Sequence, residues 1–237
     1  MEVVVLAGGK GTRLASAVAD VPKPMAPVDG RPFLEYLFDF WAAHGASAFL
    51  LSTGYRSGVF ERHFGQVYKG IPVHYAAEPS PLGTGGGLAF AVRAFKPKKD
   101  FWICNGDTLL DFSPAEMRQF HLSHGADLTA AAVPPPAEKR YGGLWLDEEG
   151  RMTRFRNEAT DDTVNGGVYL ANPALFAQET SGDRPASLES DFFPRWTQQG
   201  KRLYGFRTPG PFLDIGVPES YARAGDFLNR FASKRTV

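Results

Sequence analysis

Val3-Val4-Val5-Leu6-Ala7-Gly8-Gly9-Lys10-Gly11-Thr12-Arg13-Leu14 carries an apolar stretch straight into a loop of three glycines set among Lys10 and Arg13. Gly8, Gly9 and Gly11 let successive backbone N–H groups close around an anion with no Cβ in the way. Two cations beside such a cradle make polyphosphate binding the leading chemistry. A plain strand-to-helix turn would need neither the third glycine nor the charges. Two familiar phosphate loops do not fit. The pattern Gly-x-x-x-x-Gly-Lys-Ser/Thr is absent. The dinucleotide pattern Gly-x-Gly-x-x-Gly fails at Leu14, and the second predicted strand ends in Ser52-Thr53-Gly54, with no acidic residue for a ribose. Hydride transfer is therefore disfavoured.

Four further segments carry chemistry. Asn105-Gly106-Asp107 follows a strand of large apolar residues, and strand C-termini are where ligands collect in open α/β sheets. Asp107 either ligates a cation, Mg²⁺ for hard oxygen donors, or caps the turn into Thr108. Phe212-Leu213-Asp214-Ile215-Gly216 repeats the arrangement and tips the balance, since two such carboxylates can hold Mg²⁺ over a polyphosphate. In Val21-Pro22-Lys23-Pro24-Met25 the prolines predict an extended backbone that aims Lys23 at one place, such as a second phosphate. Glu78-Pro79-Ser80-Pro81-Leu82-Gly83-Thr84-Gly85-Gly86-Gly87 predicts a rigid loop whose backbone reads a flat ring edge or binds an anion at a helix start. A cradle, two carboxylates and fixed cations together describe phosphoryl or nucleotidyl transfer, which works by positioning and charge neutralisation.

Bulk properties narrow the partners. The 237 residues suffice for one large domain. Lys plus Arg and Asp plus Glu number 26 each, which argues against a nucleic-acid surface. The one cysteine, Cys104, lies in an apolar run and reads as a buried thiol. His121 and His124 are spaced i, i+3 without an acidic partner, so they read as packed or solvated. No signal peptide and no apolar run of about 20 residues is visible, so a soluble cytoplasmic protein is expected. A homodimer is left open.

The elements that must position these residues alternate in the first half. Strands are predicted at 2–6, 46–52, 71–76, 101–105 and 127–133, with helices at 31–44, 57–64, 86–95 and 113–124. That alternation predicts a Rossmann-like, doubly wound, mixed but mostly parallel α/β sheet. The second half predicts a hairpin from 142–146 and 152–155, strands at 164–170, 201–207 and 211–214, and helices at 172–178, 187–199 and 217–231. One domain is expected, in which the second half (134–237) extends the sheet of the first (1–133) and adds a substrate-covering layer.

The motif from Leu6 to Leu14, followed by Pro22-Lys23-Pro24, resembles the signature of sugar-1-phosphate nucleotidylyltransferases. Glu78 to Gly87, Asn105-Gly106-Asp107, Asn165-Gly166-Gly167 and Asp214-Ile215-Gly216 follow in that family's order, so the resemblance spans essentially the whole chain. Asp20 to Pro27, Arg31 to Tyr36, and Ser187-Leu188-Glu189-Ser190-Asp191-Phe192-Phe193-Pro194 are most similar to its heptose 1-phosphate guanylyltransferase branch. The resemblance makes 1–133 a nucleotide-binding half and 134–237 a sugar-binding half. It implies that Leu6, Ala7, Gly8, Gly9, Gly11 and Thr12 hold the nucleotide, with Asn105 and Gly106. Glu78, Gly83 and Thr84 would lie against the base. Arg13 would stabilise the leaving pyrophosphate, Lys23 a substrate phosphate, and Asp107 and Asp214 would ligate Mg²⁺. Tyr141, Gly142, Glu158, Asn165 and Gly166 would face the sugar phosphate. The implied reaction joins GTP and D-glycero-α-D-manno-heptose 1-phosphate into GDP-heptose and pyrophosphate, for surface polysaccharide synthesis. Mannose or amino-sugar 1-phosphates are the near alternatives.

One departure stands out. The family often carries Glu-Lys after the hairpin, whereas Glu158 is followed here by Ala159. Arg154, Arg156 and Arg195 are the candidates for the missing charge, although a guanidinium prefers planar two-point contacts. A catalytically silent nucleotide-sugar sensor would be expected to lose a carboxylate or a cation, and Arg13, Lys23, Asp107 and Asp214 are all present.

Overall fold

Val3, Val4 and Val5 have no exposed surface. Three successive buried residues need cover on both faces of their strand, as in a parallel sheet between layers. The computed structural model describes residues 1–9, 14, 18, 21–136, 141–156, 163–179 and 184–233. Lys10, Gly11, Thr12, Arg13 and Glu158 therefore lie outside the described residues. The valines fall in β1 (Glu2–Ala7). A ribbon follows, β2 (Pro27–Val28) and β3 (Arg31–Pro32), then α1 (Phe33–Ala43), β4 (Ala48–Thr53), α2 (Gly58–Phe64), β5 (Val67–Tyr68), β6 (Ile71–Ala77), α3 (Gly83–Phe95) and β7 (Phe101–Asn105). Strands β6, β4, β1 and β7 lie side by side in parallel.

The chain continues through β8 (Thr108–Leu110), α4 (Pro114–Ser123), β9 (Leu128–Val133), β10 (Gly143–Leu146), β11 (Met152–Arg156) and β12 (Val164–Ala171). It ends with α5 (Phe193–Gln198), β13 (Leu203–Arg207), β14 (Phe212–Asp214), α6 (Pro218–Ala222) and α7 (Ala224–Ser233). Strand β12 enters antiparallel beside β7, so strands from both halves share one mixed sheet. Its other edge pairs with β9, and at Val164 it also meets the β10–β11 hairpin. Apolar side chains fill both layers. Phe38 of α1 stacks on Phe49 of β4 at 3.9 Å on one face. Leu88, Tyr169, Phe193 and Trp196 pack on the other.

Several elements differ from the sequence-based expectation. Arg31 and Pro32 open no helix. Asp29 and Gly30 adopt φ of 48° and 79°, turning the chain into the β2–β3 ribbon, as Asp-Gly does between paired strands. Around Lys23 the chain forms a 3-10 turn, Lys23–Met25, because proline suits the first positions of a helical turn. Helix α3 begins at Gly83, three residues before the expected start. The span 187–199 is a wide π turn, Leu188–Phe192, and then α5. The helix expected at 172–178 is a 3-10 turn, Pro173–Phe176. The closing helix breaks at Arg223. Strand β8, which no periodicity announces in so short a run, pairs with β14.

Candidate active site

Strands β1 and β7 end side by side, with Leu6 opposite Asn105. Beyond their ends opens a cavity of about 580 Å³. Leu6, Ala7, Gly8 and Gly9 form one wall, and Asn105 and Asp107 another. Lys23, Glu78, Gly83, Thr84 and Asp214 complete it from three other segments. Ser52, Pro24 and Pro81 also line it. Ser52 was not expected there; its only sequence signal is a polar end to an apolar strand.

Lys23 Nζ donates to Asp107 Oδ2 at 2.6 Å, with the two side chains 13% and 26% exposed. Asp107 and Asp214 are brought together by the β8–β14 ribbon, where Asp214 pairs with Thr108 and the Ile215 N–H donates to the Asp107 carbonyl at 3.0 Å. Asp214 Oδ1 also accepts the Gly216 N–H. Two carboxylates lining one cavity are hard donors suited to Mg²⁺. Among the described residues no cluster of three or more His, Cys, Asp or Glu stands ready for a metal, so phosphate and water would supply the other ligands, as Mg²⁺ prefers.

Glu78 occupies a slot made by glycines. A Cβ on Gly8 would fall 2.6 Å from Glu78 Oε1, and one on Gly87 would fall 2.4 Å from it. The Leu82 N–H donates to Oε2 at 3.0 Å, and the Ser52 hydroxyl to Oε1 at 3.3 Å. Burial raises the carboxyl pKa above its ordinary value, and these two donors oppose the rise. The glycines at the start of α3 serve packing. Gly83 has φ of 75°, and a Cβ there would lie 2.5 Å from the Ala186 carbonyl oxygen. That same oxygen accepts the Gly85 and Gly86 N–H groups at 2.9 and 3.1 Å. The helix start is thus capped by the chain itself at those two donors, which are not offered to an anion.

The remaining expected residues among those described stand outside the cavity wall. The Gly106 N–H donates to the Leu6 carbonyl at 2.9 Å, locking the turn under β1. Gly166 faces β9, where a Cβ would meet Val133 Cγ1 at 3.1 Å. Tyr141 packs edge-on against Phe212 at 5.1 Å, and the Gly142 carbonyl accepts the Asn165 N–H. Asn165 Nδ2 donates to the Tyr169 hydroxyl at 2.6 Å, while Oδ1 accepts the Gly167 N–H at 3.0 Å. Gly167 in turn abuts the Asn105 amide. Of the three arginines considered for the missing charge, Arg195 is committed elsewhere. It donates to the buried Glu179 at 2.8 Å and lies over the Phe192 ring. Cys104 is fully buried, with its thiol pushed up to about 12 by desolvation. His121 is buried against Thr129 at 2.9 Å, and burial lowers its pKa.

The sequence matches the Nucleotidyl transferase family over residues 2–230. The chain belongs to that family. It is 39% identical to the D-glycero-alpha-D-manno-heptose 1-phosphate guanylyltransferase of Aneurinibacillus thermoaerophilus, over 98% of this chain and 100% of that protein. It is 36% identical to the mannose-1-phosphate guanylyltransferase of Mycobacterium tuberculosis, over 97% of this chain and 65% of that one. Among solved structures it resembles HddC from Yersinia pseudotuberculosis complexed with GMP-PN, with a TM-score of 0.82 and 29% identity over 95% of this chain and 98% of that one. A putative glucose-1-phosphate thymidylyltransferase of Bacillus anthracis shares the nucleotidyl transferase fold at a TM-score of 0.83 and 16% identity. Among the described residues no helix is long and apolar enough to cross a membrane.

Proposed function

We propose that this nucleotidyl transferase condenses GTP with D-glycero-α-D-manno-heptose 1-phosphate, forming GDP-heptose and pyrophosphate. The observation that carries the reading is the 39% identity to a heptose 1-phosphate guanylyltransferase that this chain covers from end to end. A second reading, transfer to mannose 1-phosphate, is favoured by the 36% identity to the mycobacterial relative, but the chain spans only 65% of that protein.

The site chemistry supports a guanine nucleotide. A carboxylate presents acceptors only, and guanine carries two adjacent donors, N1–H and N2–H₂, on one edge. Glu78 on the cavity wall is an acceptor pair for that edge. The sugar phosphate oxygen attacks the α-phosphorus in line; the P–O bond to the β-phosphate breaks, and both electrons leave with pyrophosphate. No covalent intermediate on the protein is required. Lys23 shifts from Asp107 toward the substrate phosphate and offsets its charge. Asp107 and Asp214 would hold Mg²⁺, which when bound neutralises charge on the phosphates. Arg13 would stabilise the departing pyrophosphate. The reaction belongs in the cytoplasm, where GTP is made, and its product serves surface polysaccharide synthesis.

The test is pyrophosphate release with Mg²⁺, screening GTP, ATP, CTP, UTP and dTTP against sugar 1-phosphates that include the manno-heptose and mannose compounds. Release confined to GTP and the heptose phosphate supports the reading. Preference for mannose 1-phosphate replaces it with the second, and nucleotide binding with no release from any pair overturns both.

A further inference from the structure

Glu189 stands outside the cavity wall, yet three hydroxyl groups converge on it. The Tyr169 hydroxyl donates to Oε1 at 3.0 Å. Thr84 Oγ1 and Ser187 Oγ each donate to Oε2 at 3.1 Å. Thr84, in the first turn of α3, lines the cavity, and its hydroxyl also accepts the Leu188 N–H at 2.9 Å. Tyr169 is fully buried and accepts from Asn165 Nδ2 at 2.6 Å. One chain of hydrogen bonds therefore runs from the start of α3 to the strand expected to face the sugar, and its centre is a carboxylate.

The direction of every proton in that chain follows from the carboxylate. Glu189 can only accept, so the phenol must donate to it. Burial and the Glu189 charge hold the Tyr169 phenol well above its ordinary pKa, so its proton stays in place. Having donated, the phenol oxygen must accept, and the Asn165 amide must turn its nitrogen toward it. The Gly167 N–H fixes the other end of the same amide at 3.0 Å. Asn165 is thereby locked in one of its two flipped orientations, with one N–H and one oxygen lone pair not used by these two contacts.

We propose that Glu189 is a positioning residue for the sugar 1-phosphate, orienting the Asn165 amide through Tyr169 and tying it to the start of α3 through Thr84. This rests on the sugar-1-phosphate reading above. A glutamine at 189 carries its own donor. If its NH₂ faces Tyr169, the phenol proton loses its acceptor; if it faces Thr84 and Ser187, their hydroxyls lose theirs. One branch breaks in either case, and a partly satisfied network loses its definition.

The experiment is a mutant cycle on pyrophosphate release, with KM for GTP and for the sugar 1-phosphate measured separately. Tyr169→Phe cuts the sugar branch alone, so KM for the sugar 1-phosphate rises at least tenfold while KM for GTP moves less than threefold. Glu189→Gln raises the same KM for the sugar and also disturbs GTP. Because both act through Asn165, adding either to Asn165→Ala changes the sugar KM less than threefold beyond Asn165→Ala alone. Effects that multiply across the double variants, or a sugar KM unchanged in Tyr169→Phe, overturn the proposal. If Glu189→Gln does not fold, the Tyr169→Phe and Asn165→Ala pair decides it. A wild-type protein that accepts mannose 1-phosphate and refuses the heptose phosphate corrects the substrate, and the same cycle measured with mannose 1-phosphate then decides for or against Glu189.

Discussion

Glu78→Gln separates base reading from the rest of the site, because the structure dictates how the new amide must sit. The Leu82 N–H at 3.0 Å requires an acceptor, so the amide oxygen takes the Oε2 place. The NH₂ then takes the Oε1 place in the slot between Gly8 and Gly87. Ser52 adapts, since its hydroxyl is also 3.2 Å from the Gly87 carbonyl and can donate there. Guanine then meets one donor against its own donors and loses the negative charge. A hydrogen bond to a charged group contributes roughly 1.5–3 kcal/mol, which is about 10- to 150-fold in kcat/KM for GTP at ~1.36 kcal/mol per decade. The assay is kcat/KM for GTP and for ITP, which keeps N1–H and lacks the 2-amino group. The wild type prefers GTP, and in Glu78→Gln that preference shrinks toward unity. Retention of both the GTP value and the GTP/ITP ratio within threefold would refute the placement of Glu78 on the base.

The same carboxyl has a pH consequence. Its folded pKa is raised by burial, so protonation begins at a higher pH than for an exposed glutamate. Protonation puts a donor where guanine needs an acceptor, so GTP affinity falls as pH drops through the raised value. For the free protein the sign is opposite: a raised acid pKa means the folded state binds the proton more tightly, so this group's destabilising effect is absent below the unfolded pKa, grows as pH rises and is complete above the raised folded value. Calorimetric titration of GTP binding and thermal unfolding across the same pH range would show the two trends crossing.

Asp107→Asn keeps the fold, removes the negative charge that Lys23 meets at 2.6 Å and lowers turnover by about 10²–10³-fold, the range for losing one preorganised electrostatic group; unchanged Mg²⁺-dependent turnover would remove Asp107 from the metal. Gly83→Ala forces a Cβ into a φ of 75° and to within 2.5 Å of the Ala186 carbonyl oxygen; a loss of roughly 1–3 kcal/mol is expected in denaturant unfolding, and an unchanged midpoint contradicts the packing argument. Arg13→Ala slows turnover far more than it weakens sugar-phosphate binding if it acts on the leaving group; an effect confined to sugar-phosphate affinity reassigns it.

The sequence alone determined what is local. A run of β-branched valines with no polar residue reads as a doubly covered strand, and it is β1. Carboxylates placed just after apolar runs, Asp107 and Asp214, had to emerge at strand ends, and both line the cavity. Glycines next to prolines announced the loop holding Glu78, Gly83 and Thr84. What only the tertiary structure decided is how residues far apart in sequence meet. Lys23 and Asp107 are 84 residues apart, and Thr84 and Glu189 are 105 apart; no spacing encodes either contact. Strand β8 and the π turn at Leu188–Phe192 are too short to show a period, and they form because β14 and α3 lie ready to pair and pack with them. The glycines of α3 carry the same lesson: their composition suggested an anion site, but the Ala186 carbonyl caps two of their N–H groups, and close approach to that chain is what requires them. Local chemistry follows from side-chain type and strand end, whereas its orientation follows from hydrogen-bond partners that only the folded chain supplies.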